Sequence, residues 1–190
     1  IKSGKKMIIK EVNTTAKKTF APGLYDLTEL QRDANKRFGY SAKETLNIMQ
    51  RLYESHKVLT YPRTDSRYIT TDVADTLKER LKACSVGPYR KLAGSLSMRP
   101  IRKNASFVDN KKVTDHHAII PTEQFVDLQT MTNEERKVYD LVVRRFLAVL
   151  LPAFEYDQTV FTGGLAGESF TAKGKIVKSQ GWKEAYENLE

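Results

Sequence analysis

Tyr61 and Arg63 stand two residues apart in the segment Leu59-Thr60-Tyr61-Pro62-Arg63-Thr64-Asp65-Ser66, with a proline stiffening the backbone between them. A residue before proline is held in the extended region, so this order predicts a β-like Tyr61. Side chains of an extended segment alternate faces. Tyr61 and Arg63, with Asp65 a further candidate, then share one side, while Thr60, Pro62 and Thr64 take the other. A phenol beside a guanidinium can attack a phosphodiester: an oxygen nucleophile next to a planar cation that holds two phosphate oxygens and offsets the charge developing on them. A free phenol titrates at about pH 10, so such a nucleophile needs help to lose its proton at neutral pH. Arg63 can supply charge but makes a poor base. On spacing alone, an edge strand ended by Pro62, with a half-buried tyrosine and a polar turn after it, accounts for the same residues.

The surrounding elements decide where Tyr61 is held. Lys6 to Phe20 is rich in Ile, Val and Thr and predicts one or two strands, ending at Ala21-Pro22-Gly23. Leu27, Leu30, Ala34 and Phe38 recur at helical spacing, and Gly39 stands where a C-cap is wanted. Ser41 and Glu44 form a capping box that opens a second helix, with Leu46, Met49 and Tyr53 on one face and Ile48 and Leu52 beside it. A predicted strand, Val58 to Tyr61, completes a helix-turn-helix running into a wing-like strand. Such units lie against nucleic acid in some proteins and only pack a core in others.

Further on, Val73, Leu77, Leu81 and Cys84 predict one amphipathic helix over Asp72 to Cys84, capped by Thr71, with Cys84 a core residue and not a reactive thiol. Pro88 to Met98 predicts a short helix. Arg99 to Lys112 is basic and irregular, a solvated loop or a phosphate contact. Thr132 with Glu135 opens a long core helix whose apolar face runs from Val138 to Leu150. Tyr156 to Thr162 and Glu168 to Lys178 predict strands around the cluster Gly163-Gly164-Leu165-Ala166-Gly167, which lacks the Lys-Ser or Lys-Thr of a phosphate loop and predicts a hairpin turn.

The chain has 190 residues, and 32 Lys plus Arg against 23 Asp plus Glu give a net charge of +9, which suits a polyanionic partner. One cysteine rules out an internal disulfide and a multi-cysteine zinc site, in keeping with a reducing cytoplasm. No stretch has the length and apolarity of a membrane span, and Ile1 to Lys6 lacks the apolar core of a signal peptide. A soluble cytoplasmic protein with no membrane partner is the expectation.

Four blocks, in order, resemble the type IA DNA topoisomerases and, within them, the bacterial topoisomerase III branch. They are Leu24 to Gln31, Phe38 to Leu46, Thr60 to Ser66, and Asp115-His116-His117-Ala118-Ile119-Ile120-Pro121-Thr122. The resemblance implies an α+β, mainly α fold, in which a winged-helix-like tyrosine domain, residues 22–154, is inserted between β segments 1–21 and 155–190 of an arch that hinges a DNA gate. It implies that Tyr61 attacks one DNA strand and becomes linked to the 5′ phosphate, that Arg63 stabilises the phosphate and that His116 faces it. Thr64, Ser66 and His117 are weaker candidates for DNA contact. Single-stranded or underwound DNA is the expected partner, with the rest of a longer polypeptide. That remainder includes a Toprim domain, whose acidic cluster holds magnesium in the family. No D-x-D occurs in this chain, so no metal site is expected in it, and the chain reads as a fragment inactive alone. A non-catalytic winged-helix DNA-binding module is the alternative. A tyrosine recombinase is disfavoured, because no H-x-x-R pair precedes a late tyrosine.

Overall fold

One antiparallel sheet joins the two ends of the chain in the computed structural model, which describes residues 6–187. Its strands are β1 (Ile8–Thr19), β2 (Phe154–Leu165) and β3 (Glu168–Ser179), in the order β1-β2-β3. β1 pairs with β2 from Ile8 opposite Gly164 to Thr19 opposite Phe154. β2 turns into β3 through Ala166 and Gly167, whose φ angles of 53° and 86° suit the tight hairpin expected from the glycine cluster. Gly163 is required for a second reason: a Cβ there would lie 2.5 Å from the Ile8 carbonyl oxygen. Residues 1–5 and 188–190 of the predicted flanking segments lie outside the described residues.

Six helices lie between β1 and β2: α1 (Leu27–Phe38), α2 (Ala42–Glu54), α3 (Thr71–Ala74), α4 (Leu77–Ala83), α5 (Arg90–Ser97) and α6 (Asn133–Val149). The stop and start of the first pair follow the sequence signals. Gly39 adopts φ 73° as the C-cap of α1, and Ser41 and Glu44 form the complete capping box of α2. Thr132 and Glu135 cap α6 in the same way. Leu30, Ala34, Met49, Leu52, Val138, Val142 and Phe146 meet in one core with Leu77, Leu81 and Cys84. Burial pushes the Cys84 thiol up to about 12, so it is an inert core residue.

Arg145 of α6 ties this core to the lead-in. Its guanidinium lies 4.1 Å from the Tyr25 ring centroid, donates to the Gly23 carbonyl at 2.8 Å and pairs with Asp33 at 3.0 Å. Tyr25 in turn donates to Asp33. After β3, a 3-10 turn at Gly181–Tyr186 packs on α6, and Trp182 Nε1 donates to the Thr19 carbonyl at 3.0 Å.

Three sequence expectations are corrected. The predicted helix Asp72 to Cys84 is broken: the Thr76 hydroxyl donates to the Val73 carbonyl at 2.7 Å, competes with the helical ladder, and the chain restarts as α4. Thr70, not Thr71, holds the N-cap position of α3, without a side-chain cap bond. The predicted strand Val58 to Tyr61 shrinks to a bridge between Leu59 and Pro121. Prolines 62 and 121 remove donors from the two segments, and Lys57, at φ 58°, turns the chain sharply before them.

Candidate active site

Pro62, Thr64 and Ser66 are buried, whereas Arg63 and Asp65 are exposed and Tyr61 is half-buried. The alternation expected of an extended segment therefore holds, with the phenol and guanidinium on the open side. What fixes the segment is a series of bonds to residues 112–120, a stretch that runs into the Asp115 to Thr122 block. The Thr60 N–H donates to the Ile120 carbonyl at 3.0 Å, and the Ile120 N–H donates to the Thr60 hydroxyl at 3.0 Å. The Thr64 hydroxyl donates to the His116 carbonyl at 3.1 Å, and the Ser66 hydroxyl donates to the Lys112 carbonyl at 2.7 Å. Thr64 and Ser66, expected as DNA contacts, are thus turned inward and position the backbone under Tyr61 and Arg63.

The lead-in block joins the same knot. The Ile119 N–H donates to the Tyr25 carbonyl at 2.9 Å, and the Leu27 N–H donates to the Thr64 carbonyl at 3.1 Å. Arg67 grips the carbonyls of Leu24 and Gly23 at 3.0 and 3.3 Å. The remaining block, Phe38 to Leu46, acts at one remove: it starts α2, whose last turn carries Tyr53 to Tyr61.

The Tyr61 ring sits between two aromatic neighbours. His116 lies 4.1 Å away, centroid to centroid, at 34°, and Tyr53 lies 5.5 Å away, nearly perpendicular at 79°. His116 is exposed and stacked, free to present a ring nitrogen to an anion. His117 is half-buried, and its Nδ1 approaches the Ala118 carbonyl at 2.7 Å, a contact that needs the proton on Nδ1 and leaves Nε2 as an acceptor. Burial, with Arg80 and His116 nearby, holds its pKa below the usual histidine range, so His117 is neutral where a phosphate-holding cation would be wanted.

Clefts open on both sides of Tyr61. One, of about 280 Å³, is lined by Thr70, Asp72, Asp115 and both histidines. The other, of about 750 Å³, is lined by Tyr53, Lys57, Arg80, His117 and Glu123. Sequence reasoning missed Tyr53 and Arg80 as neighbours of the site. Tyr53 looked like part of a helix face, and nothing local separates Arg80 from Lys78 and Lys82 on the same helix. His56, just past the end of α2, pairs with Glu135 at 2.6 Å and so ties the end of α2 to the start of α6. Among the described residues, no group of three or more His, Cys, Asp or Glu could hold a metal ion, and no helix is long and apolar enough to cross a membrane.

A family model described as DNA topoisomerase matches residues 1–190. DNA topoisomerase 3 of Bacillus anthracis is 65% identical over 178 residues, covering 94% of this chain and 24% of that protein. DNA topoisomerase 3 of Bacillus subtilis (strain 168) is 55% identical over 187 residues, covering 98% of this chain and 26% of that protein. The structure of full-length topoisomerase I from Thermotoga maritima shares the fold, with a TM-score of 0.68 at 24% identity, over 95% of this chain and 29% of that one. The chain thus spans about a quarter of the length of the curated relatives it matches. It belongs to the DNA topoisomerase family, as a segment of type IA, topoisomerase III-like character.

Proposed function

We propose that this chain is the tyrosine-bearing part of a type IA DNA topoisomerase, and that Tyr61 is its nucleophile. The phenolic oxygen attacks a phosphodiester of single-stranded or underwound DNA, a bond forms between that oxygen and the 5′ phosphate, and the 3′ hydroxyl leaves. Reversal after strand passage rejoins the strand without a nucleotide, because the phosphotyrosine keeps the energy of the broken bond. What supports this reading most is the convergence of three motif blocks beneath one edge that carries the half-buried Tyr61 and the exposed Arg63. Arg63 clamps the phosphate oxygens, and His116 donates to them from its place on the Tyr61 ring. Thr64 and Ser66 hold the segment in register, and His117 contributes less to the phosphate because it is neutral.

In this reading the proton of the Tyr61 phenol passes to a group brought by the rest of the parent or by the DNA. Among the described residues, no cluster of His, Cys, Asp or Glu around Tyr61 fits a magnesium ion. The family resemblance assigns magnesium to the Toprim domain of the parent polypeptide. In this reading residues 22–154 are the tyrosine domain, with α1 and α2 as its helix-turn-helix. Residues 1–21 and 155–190 belong to the arch. A DNA substrate puts the work in the cytoplasm.

In the full-length parent, Tyr61→Phe abolishes the covalent DNA adduct on denaturing gels while DNA binding persists. Arg63→Ala and His116→Ala slow adduct formation roughly tenfold or more without abolishing it, and His117→Ala does less than His116→Ala. A normal adduct yield from Tyr61→Phe would overturn the assignment and favour a DNA-binding module without catalysis.

A further inference from the structure

We propose that the larger cleft beside Tyr61 is a base-reading subsite, which takes one nucleobase of the strand being cut and discriminates against thymine. The proposal rests on the reading of Tyr61 as nucleophile and adds to it a specificity determinant, Arg80, with Tyr53 and Glu123.

The cleft has about 750 Å³, room for a nucleobase, and opens directly next to Tyr61. One wall is aromatic: Tyr53 stands 5.5 Å from Tyr61 and offers a surface on which a splayed base can stack. Another wall carries Arg80, half-buried and already oriented. Its Nε donates to the Thr76 hydroxyl at 2.8 Å and its Nη1 to the Pro121 carbonyl at 3.0 Å, while Nη2 has no partner among the described residues. The guanidinium is therefore fixed as a donor with one unused edge. The two walls are held together by a left-handed residue: Lys57, at φ 58°, presents its carbonyl to the Thr122 hydroxyl at 2.6 Å.

The charge of the lining selects a base over a phosphate. Glu54 and Glu123 line the cleft with Lys57 and Arg80, two carboxylates against two cations, so the lining carries no net positive charge to favour a phosphate. A donor and carboxylate acceptors together fit a base edge carrying a ring acceptor and an exocyclic amino group. Adenine, guanine and cytosine carry both; thymine has no amino group. Arg80 then donates to the ring or carbonyl acceptor and Glu123 receives the amino group.

The test uses the full-length parent and end-labelled single strands that vary every position around one cut. The adduct at each site is expressed as a fraction of total adduct, so a weaker enzyme still reports its pattern. The native protein disfavours thymine at one fixed distance from the cut by roughly fivefold, the worth of one hydrogen bond lost. Arg80→Ala and Arg80→Lys both flatten that preference, because lysine keeps the charge but loses the fixed fork. Glu123→Ala, at an exposed position, flattens it at the same distance and decides the matter if the Arg80 variants do not fold. An unchanged pattern in Glu123→Ala, or a uniform fall in adduct across all sequences in Arg80→Ala, overturns the proposal. Loss of all adduct in Tyr61→Phe with the native pattern unaltered by Glu123→Ala would leave Tyr61 as nucleophile and remove only the subsite.

Discussion

The helical part of the chain and the three-stranded sheet use opposite means to stay folded. In the helical part, Leu30, Leu52, Val138 and Phe146 are at most 1% exposed, and the loops are knotted together by side-chain bonds to backbone carbonyls. The sheet is held by long strands and its hairpin, yet every residue of β1 is exposed, and Val12 and Ile176 remain 52% and 62% accessible. Tyr61, with the His116 ring 4.1 Å away, and Arg63 stand on the well-buried part. The sheet shows apolar surface that it does not bury against the helices. Few buried apolar contacts mark the low-stability end of a fold.

The contrast can be broken most forcefully in the core. Leu52→Ala or Phe146→Ala destabilises the chain by about 3–5 kcal/mol in urea denaturation, since each leaves a cavity that its neighbours cannot fill. An intermediate effect comes from the joint between α2 and α6. Burial raises the Glu135 pKa, but the N–H and hydroxyl of Thr132 and the His56 ring outweigh it, so the carboxyl sits below its usual range. A depressed folded pKa stabilises the fold above the unfolded value and stops doing so as pH falls through the folded one. Native stability therefore declines on acidification below the ordinary carboxylate range, and Glu135→Gln removes part of that decline while losing about 1 kcal/mol at neutral pH. Thermal melts of both proteins across the acidic range check the sign. The smallest change belongs to the sheet: Val12→Ala or Ile176→Ala costs about 1 kcal/mol or less. A sheet truncation as costly as Leu52→Ala would show that the two regions are not built differently.

Much of this was legible from local signals. Gly39, the Ser41-Glu44 and Thr132-Glu135 boxes and the glycine cluster at 163–167 each act within a few residues, and each marks an observed boundary. Pro62 made the faces of Tyr61 and Arg63 readable in the same way. The inward turn of Thr64 and Ser66 was not legible, because their acceptors, the carbonyls of His116 and Lys112, lie far along the chain. The break at Asp75-Thr76 came from a hydroxyl competing with the helix, which a hydrophobic stripe cannot reveal. Tyr53 and Arg80 entered the site only through the folding of α2 and α4 around the 118–122 segment.

Whether Tyr61 carries the DNA is decided by finding the modified residue. The full-length parent is trapped on a short single strand, digested with trypsin and nuclease, and mapped by mass spectrometry. Cleavage after Lys57 and Arg63 isolates Val58 to Arg63, a peptide with Tyr61 as its only tyrosine. The nucleotide mass is expected on that peptide. Finding it instead on the peptide that carries Tyr53 or the one that carries Tyr68 would contradict the assignment of Tyr61.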